Sequence, residues 1–299
     1  MKIITSKQIE DLNISTGTCI KWVKEDFLFK SRCQLPAKMS VHPMGNDFFT
    51  TMPCLLPEEF HLFGVKVVSR ILGRKPALNS DLMLFDTRSG ELISVMDSNW
   101  ITSMRTGAVA ALAIETFKKS DAKNFSFIGL GNTAYSTMSC LLNHFPDKQF
   151  NINLFKYKDQ ADRFRNYFSS FKNADFKIVD TIEALVSDAD VIVSCITDAD
   201  GILVDDTSLF KKGVLVVPVH TRGFQNCDLI FDKVFADDES HVKGFKNFGH
   251  FRYFDEISNV LSGQHEGREN DSERILSYNI GLGLHDVYFA FKIFDLICN

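Results

Sequence analysis

The sequence lacks any uninterrupted apolar run that could cross a bilayer, for which about 20 residues are needed. Its first residues, M-K-I-I-T-S-K, do not contain the long apolar core of a secretory signal. We therefore expect a cytoplasmic protein with no membrane partner. Repeats, low-complexity tracts and Pro/Gly-rich linkers are absent as well, so hydrophobic periodicity is the guide to domain organisation.

The seven cysteines include no pair at C-x-x-C spacing. Their odd number and their spacing predict neither a disulfide scaffold nor a structural zinc site, so we expect buried, reduced thiols and no metal. Basic residues are too few for a dedicated nucleic-acid binder, because 33 Lys and Arg against 38 Asp and Glu give a net charge of -5. The 299 residues, 45% hydrophobic and 24% charged, instead predict a globular protein with one large or two ordinary domains.

Hydrophobic periodicity divides the chain into parts of different character. The first third is rich in predicted strands and ends in a long helix, whereas the middle third alternates strands with helices. That alternation indicates βαβ units and a parallel sheet. The predicted strands lie at 48–52, 64–68, 82–85 and 92–96 (the last two as a hairpin), and then at 124–128, 150–155, 176–179, 191–195 and 213–219. The predicted helices lie at about 102–119, 135–144, 159–171, from 182–186 onward, and at 281–296.

These elements predict an α/β fold with an inserted domain. We expect residues 120–272 to form a Rossmann-type doubly wound parallel sheet. Residues 1–119 and 273–299 are expected to form an α+β domain, which the C-terminal helix completes by packing back on the N-terminal part.

A glycine-rich turn stands at residues 129–134, G-L-G-N-T-A, between a predicted strand and a predicted helix. It fits G-x-G-x-x-A, in which Gly129 permits the tight turn, Gly131 lets a pyrophosphate approach the backbone and Ala134 allows close helix packing. The following helix N-terminus offers free N–H groups to phosphates. Because strand, turn, helix and second strand occur in the right order, we favour dinucleotide binding over an ordinary glycine turn.

The end of the second strand of this unit carries no carboxylate for a ribose 2′-hydroxyl. The residues there are F-K-Y-K at 155–158. Lys156 and Lys158 could meet a 2′-phosphate, which favours NADP over NAD as cofactor. The alternative is a pair of solvated surface lysines.

Three basic residues stand in apolar or small surroundings, namely Lys38, Lys66 and Arg105. Lys66 lies in a predicted strand with buried neighbours, where a lysine is costly unless it is paired. Arg105 lies in the first turns of the long helix and can bind a carboxylate with two parallel hydrogen bonds. Together the three residues could receive an amino-acid carboxylate, and for each of them an internal salt bridge is the alternative.

Several stretches of the sequence resemble the ornithine cyclodeaminase/μ-crystallin family. They occur in the family's order over nearly the whole chain, and the I-T-x-x-R-T stretch is the most specific. The stretches are G-V-K-V-V at 64–68, the segment 82–97 with Asp86, Gly90 and Asp97, I-T-S-M-R-T-G-A at 101–108, I-G-L-G-N-T-A at 128–134, S-D-A-D-V-I-V at 187–193 and N-I-G-L-G-L-H-D at 279–286.

The resemblance implies a homodimer formed by the first domain, which also binds substrate, and a Rossmann domain that binds the cofactor. By motif position, Lys66 and Arg105 fall on ligands of the substrate carboxylate, and Lys38 falls where the family often has arginine. Asn279 falls near the cofactor, where cyclodeaminases commonly have serine. The remaining matches are Gly129, Gly131, Asn132 and Thr133 on the pyrophosphate loop, and Ser194, Cys195 and Thr197 on the nicotinamide side.

The stretch after the fifth Rossmann strand departs from the family. Cyclodeaminases carry a segment resembling G-x-D-x-P-G-K-x-E, whose aspartate is thought to hold the substrate amine, whereas this chain has V-H-T-R-G-F-Q-N-C-D at 219–228. An ungapped match puts Arg222 at the aspartate and Asp228 at the later acid. A cation there suits a second carboxylate or a phosphate better than an ammonium group. His220 is either an acid/base or a structural histidine.

Three functions remain open at this point. The first is an NAD(P)-dependent imine (ketimine) reductase or amino-acid dehydrogenase, with Lys66 or His220 as the proton-transfer group. In such an enzyme Arg222 could hold a second acidic group, as in a reductive condensation of an amino acid with a keto acid. The second is ornithine cyclodeaminase itself, which forms proline and ammonia and needs an anion, such as Asp228, for the distal ammonium. The third is a ligand-binding protein without turnover, like the μ-crystallin branch.

Overall fold

The structure is a computed structural model that describes residues 1–196, 203–219 and 227–298. The chain divides into two compact units. The first unit is Met1–Arg105 together with the segment from Gly281 onward, and the second is Thr106–Ile280. Within the described ranges, no helix has both the length and the hydropathy to cross a membrane.

The first unit is built on a twisted sheet whose strand order is β1-β6-β5-β4-β3-β2. Strand β1 is parallel to β6, and the other neighbours are antiparallel, including the predicted hairpin of β5 and β6. Burial alternates along β3, so one face of the sheet is covered. The elements are β1 (Lys2–Ile4), α1 (Ser6–Asp11), α2 (Thr16–Phe29), β2 (Met39–Val41), β3 (Phe48–Leu55), β4 (Leu62–Arg70), β5 (Leu78–Asp86), β6 (Leu92–Asp97) and the long helix α3 (Asn99–Phe117).

The second unit contains a parallel sheet with the order β13-β12-β14-β11-β10-β7-β8-β9. From β7 the chain adds β8 and β9 on one side, then crosses to β10 and β11 on the other. The carboxyl ends of β7 and β10 therefore flank a topological switch point, where sheets of this type bind ligands. The elements are β7 (Asn124–Ile128), α4 (Asn132–His144), β8 (Phe150–Phe155), α5 (Gln160–Tyr167), β9 (Ala174–Val179), α6 (Ile182–Val186), β10 (Val191–Ser194), β11 (Leu215–Pro218), β12 (Lys233–Ala236), α7 (Glu239–Val242), β13 (Phe254–Glu256), α8 (Ile257–Leu261) and β14 (Ile275–Tyr278).

The C-terminal helix α9 (Gly283–Cys298) returns to the first unit and packs on β3, β4 and β5. The approach is close because Gly64 of β4 has no side chain. A Cβ atom there would lie 2.7 Å from Cγ2 of Val287. This packing brings the first turn of α9 against the middle of the sheet, and it confirms the predicted completion of the first domain by the C-terminal helix.

The division between the units differs from the predicted boundaries at 119 and 273. Helix α3 continues into the second unit, where a Cβ on Gly107 would lie 2.5 Å from the carbonyl carbon of Ser136. Strand β14 was expected to lie in the first domain, but Ile275 pairs with both Leu215 and Lys233 in the parallel sheet. The four buried residues of β14, Ile275–Tyr278, belong to the second unit because strand pairing on both sides holds them there.

Candidate functional site

The glycine-rich turn follows β7 directly, as predicted. Gly129 has a φ of +81°, and a Cβ there would lie 2.5 Å from the carbonyl carbon of Cys195 and the nitrogen of Ile196. A larger residue would therefore be strained and would displace the end of β10. Gly131 caps α4 in an extended conformation, and a Cβ on it would have no atom within 4 Å. Its backbone is therefore open to approach by a ligand.

A cavity of about 380 Å³ opens at the carboxyl ends of β7, β8 and β10. Its size is within the usual range of small-molecule sites. It adjoins the N-terminus of α4, where Asn132 and Thr133 begin the helix. The lining residues are Ile128, Gly129, Gly131, Phe155, Tyr157, Gln160, Cys195 and Ile196.

Two buried polar atoms lie on the same edge of the sheet. Among the residues that the structure describes, Ser194 Oγ and Asn279 Oδ1 have no hydrogen-bond partner. Asn279 is positioned because its backbone N–H donates to the carbonyl of Pro218 at 2.9 Å. Buried polar atoms are normally paired, so both atoms are candidates to meet a bound ligand. Cys195 is a neutral thiol, because burial raises its pKa to about 12.

The two lysines after β8 lie beside the cavity and do not line it. Lys156 and Lys158 are exposed, and Lys158 has a φ of +52°. Lys158 Nζ lies 5.1 Å from the ring centroid of Tyr157. At this strand end, Tyr157 and Gln160 form the cavity wall.

The first unit holds a buried cluster of two cations and one carboxylate. Lys66 Nζ lies 2.7 Å from Asp286 Oδ1, and Arg105 Nε donates to the same oxygen at 3.0 Å. The side chains of Lys66, Arg105 and Asp286 are 1%, 8% and 0% exposed. Lys66 comes from β4, Arg105 from α3 and Asp286 from the first turn of α9. The structure thus brings together two of the three residues expected to bind a carboxylate.

The charges of this cluster do not cancel. Two cations and one carboxylate leave one positive charge in a buried place, which favours binding of a further anion. Burial and the nearby charge of Arg105 lower the pKa of Lys66 to about 7, against the opposing effect of Asp286. Burial raises the pKa of Asp286, but Arg105 and Lys66 outweigh it and hold that pKa below its usual value.

Both cations retain hydrogen-bonding capacity. Within the described chain, Lys66 Nζ meets Asp286 and Thr102 Oγ1, the latter at 3.3 Å, so one of its three donors is left for a ligand. Arg105 uses Nε on Asp286, and its guanidinium packs over Gly281, where a Cβ would lie 2.6 Å from Nη1. Lys38 is exposed just before β2, and its charge lowers the pKa of Lys66 further.

A second buried pair lies next to Asp286 along α9. His285 Nδ1 is 2.8 Å from Asp26 Oδ1 and 2.9 Å from Oδ2, and both side chains are fully buried. Burial raises the pKa of Asp26 to about 6, although His285 opposes that shift. This pair fixes α2 to α9 beneath the cluster.

Asp228, predicted as a substrate ligand, lies in a hydrogen-bonded group of the second unit. It is 1% exposed, Asn247 Nδ2 donates to its Oδ1 at 3.0 Å, and the Tyr278 hydroxyl donates to its Oδ2 at 3.2 Å. Asp228 is thus buried and hydrogen-bonded on both oxygens within the second unit, and its role as a substrate ligand stays a prediction. Thr197, His220 and Arg222 lie outside the described residues.

Asp286 was not predicted as a site residue, although it ends the family-like stretch at 279–286. A signal was present, because a lysine in a buried strand requires an anion. The contact spans 181 positions in the chain for Arg105, so the sequence could not indicate which carboxylate supplies it. Thr102, beside Lys66, was missed for the same reason.

The fold and these sites define a Rossmann-type α/β protein with a separate cation-rich unit. The model of the ornithine cyclodeaminase/mu-crystallin family matches residues 1–299, and the chain belongs to that family. The resemblance inferred from the motifs is therefore confirmed.

Individual relatives include enzymes of amino-acid and imine chemistry. The chain is 26% identical over 275 residues to Δ1-pyrroline-2-carboxylate reductase of Bacillus cereus, covering 85% of this chain and 83% of the relative. It is 24% identical over 268 residues to N-((2S)-2-amino-2-carboxyethyl)-L-glutamate dehydrogenase of Staphylococcus aureus, covering 83% and 79%. The structure of Thermococcus litoralis Δ1-pyrroline-2-carboxylate reductase, in complex with NADH and L-proline, has a TM-score of 0.84 at 20% identity and covers 99% of this chain and 98% of that one. That likeness shows the shared fold.

Proposed function

We propose that this protein is an NAD(P)-dependent oxidoreductase that transfers hydride at the C–N carbon of a small amino acid or imine, acting as a ketimine reductase or amino-acid dehydrogenase. The observation that carries the proposal is the buried Lys66–Asp286–Arg105 cluster with its excess positive charge. The reductases and the dehydrogenase among the relatives act on compounds of this class, as their names state.

In this proposal the cluster has two tasks. Arg105 and Lys66 bind the carboxylate of the substrate, which positions the adjacent C–N carbon. Lys66 also donates a proton to the imine nitrogen, since a pKa of about 7 suits proton transfer near neutral pH. Asp286 holds the two cations in place. His220 is the alternative proton-transfer group from the sequence.

The second unit fits a dinucleotide. Gly129 permits the tight turn, Gly131 offers an uncrowded backbone, the cavity lies at the switch point, and Ser194 and Asn279 present unpaired buried atoms. Nicotinamide, when bound, supplies or accepts the hydride. The chain's task is to hold the pyrophosphate at the N-terminus of α4 and to keep the sheet edge polar.

We expect Gly131→Ala to weaken cofactor binding without harming the fold. Alanine fits at this position, where φ is -93° and no atom lies within 4 Å, but its methyl group would stand where the pyrophosphate approaches. The dissociation constant should rise at least about tenfold, measured by fluorescence titration. Gly244→Ala is the matched control, because that glycine of the same unit is equally uncrowded. Equal affinities of both variants would contradict the assignment of the loop.

We further propose a preference for NADP over NAD through Lys156 and Lys158, which are exposed beside the cavity. The double variant Lys156→Ala/Lys158→Ala should bind NADPH about tenfold more weakly and NADH unchanged, because only NADPH carries the 2′-phosphate. Lys172→Ala, another exposed lysine of this unit, is the control. If both cofactors lose affinity equally, or if NADH binds better in the unmodified protein, the preference is wrong.

We also propose that the protein is a homodimer formed by the first unit. Met39, Val41 and Phe49, on adjacent strands at the edge of the sheet, are large apolar side chains that are 68%, 61% and 41% exposed. Light scattering should give twice the mass of the chain, and a monomer at micromolar concentration would refute the proposal.

The proposed activity is tested by following the absorbance of NADPH or NADH with a panel of cyclic imino acids, and of keto acids plus amines. A parallel arm with L-ornithine and NAD, assayed for proline and ammonia, tests cyclodeamination. Cofactor oxidation by an imine, without proline from ornithine, supports the proposal. Proline and ammonia from ornithine would overturn it in favour of a cyclodeaminase, and inactivity in both arms would favour a binding protein.

A further inference from the structure

A pair of hydroxyl groups, from Thr102 and Ser80, adjoins the ammonium group of Lys66. Lys66 Nζ donates to Thr102 Oγ1 at 3.3 Å, and Thr102 Oγ1 lies 2.9 Å from Ser80 Oγ. Ser80 is 1% exposed, and its hydroxyl in turn reaches Asn99 Oδ1 at 3.4 Å. A chain of hydrogen bonds therefore leads away from the buried ammonium group through two hydroxyls to a carboxamide.

The Asn99 carboxamide, at the far end of these hydrogen bonds, is held in one orientation. The backbone N–H of Ser80 donates to Asn99 Oδ1 at 2.9 Å, and Asn99 Nδ2 donates to Asn79 Oδ1 at 2.9 Å, so the orientation of the carboxamide is fixed. Asn99 Oδ1 can only accept, and the Ser80 hydroxyl donates to it. Thr102 Oγ1 accepts from the ammonium of Lys66 with a lone pair, whichever of the two hydroxyls donates in the bond between Thr102 and Ser80.

We propose that the Thr102–Ser80 pair is a positioning element that holds Lys66 in its charged, proton-donating form. The inference rests on the proposed role of Lys66 as proton donor and adds the residues that set its ionisation. A hydrogen bond that accepts from the charged form favours that form. We assign the pair no contact with the substrate, and its effect on the reaction runs through the bond from Lys66 to Thr102.

Other groups around Lys66 both raise and lower its pKa. Burial, Arg105 and Lys38 favour the neutral amine, whereas Asp286 favours the ammonium. The His285–Asp26 pair acts more remotely, because it couples to Asp286. Since these effects place the pKa of Lys66 at about 7, a change in one hydrogen bond alters the charged fraction at neutral pH. The groups that face the ammonium are Asp286 from α9, Arg105 and Thr102 from α3, and Lys38 from the segment before β2.

The test is a titration of Lys66 by NMR in the full chain, with lysine labelled at ¹³Cε and the signal assigned from a Lys66→Met sample. We expect Thr102→Val to lower the titration midpoint by about 0.5 to 1 pH unit, because a hydrogen bond to a charged group is lost. Thr102→Ser should restore the midpoint. Thr116→Val is the matched control, since that hydroxyl of the same helix donates to the carbonyl of Leu112, at 2.8 Å, and not to a charged group.

An unchanged midpoint in Thr102→Val would overturn the proposal. If that variant does not fold, Ser80→Ala decides, because it removes the hydroxyl that lies 2.9 Å from Thr102 Oγ1 and helps to hold that oxygen towards Lys66. A smaller shift in the same direction supports the proposal, and no shift overturns it. The titration requires no substrate. Inactivity towards every imine would therefore refute the proposed function and leave this result intact.

Discussion

Replacing Lys66 by methionine should lower kcat/KM for imine reduction by about a thousandfold. The substitution keeps the shape of the buried side chain and removes both a carboxylate ligand and the proposed proton donor, which typically contributes 10²- to 10⁴-fold. In the unmodified protein, kcat/KM for reduction should fall as the pH rises through about 7, because Lys66 loses its proton there. The measurement is the pH profile under steady-state conditions in both proteins.

The Lys66→Met variant should still fold, so a lower kcat/KM would reflect lost catalysis and not lost stability. Without Lys66, Asp286 still pairs with Arg105 one to one. Lys233→Met is the matched control, because Lys233 is also a buried strand lysine and is paired with Glu269 and Glu273 in the second unit. That variant should lose stability and keep its kcat/KM. Full activity of Lys66→Met would contradict the assigned role of Lys66.

Replacing Asp286 by asparagine should have the largest effect on stability. It leaves Lys66 and Arg105 as two buried cations without an anion, and breaking a buried ion pair from one side typically costs about 3–5 kcal/mol. The midpoint of urea unfolding should fall accordingly. Lys66 should also lose its proton at lower pH, because the opposing effect of Asp286 on its pKa is gone. The unfolding is therefore compared at acidic pH, where Lys66 is still a cation.

A double variant tests whether unneutralised charge or lost packing causes the loss of stability. Lys66→Met/Asp286→Asn contains one buried cation in place of two and should recover much of the stability lost in the single Asp286→Asn variant. Simple loss of packing would make the two changes additive. Additive losses, or a single Asp286→Asn variant as stable as the unmodified protein, would refute the view that Asp286 neutralises the cluster.

The sequence predicted the elements that are decided locally. The strands 124–128 and 150–155 have the predicted bounds, because each is a short apolar run next to turn residues. Strands β12, β13 and β14 were not predicted. They are only three or four residues long, and their place in the sheet depends on partners far along the chain, as when β14 inserts between β11 and β12.

The site residues also differ in whether a local pattern or long-range packing places them. The glycine turn depends on a local pattern and lies where it was expected, and the cysteines are mostly buried, as predicted. The neutralising Asp286 and the supporting Thr102 depend on packing between α9, α3 and β4, which no local pattern specifies. Asp228 was placed by counting along an ungapped match. The sequence could not indicate that its oxygens bond to Tyr278 and Asn247, because these partners are 50 and 19 positions away in the chain.

Isotope transfer tests whether the protein moves a hydride to the carbon that bears nitrogen. The protein would be incubated with NADPH carrying deuterium at the transferable C4 position and with the most active imino acid of the panel, and the amino-acid product would be examined by mass spectrometry and proton NMR. We expect one deuterium on the carbon that bears nitrogen. A product without deuterium, or with deuterium at another carbon, would contradict hydride transfer at the C–N carbon.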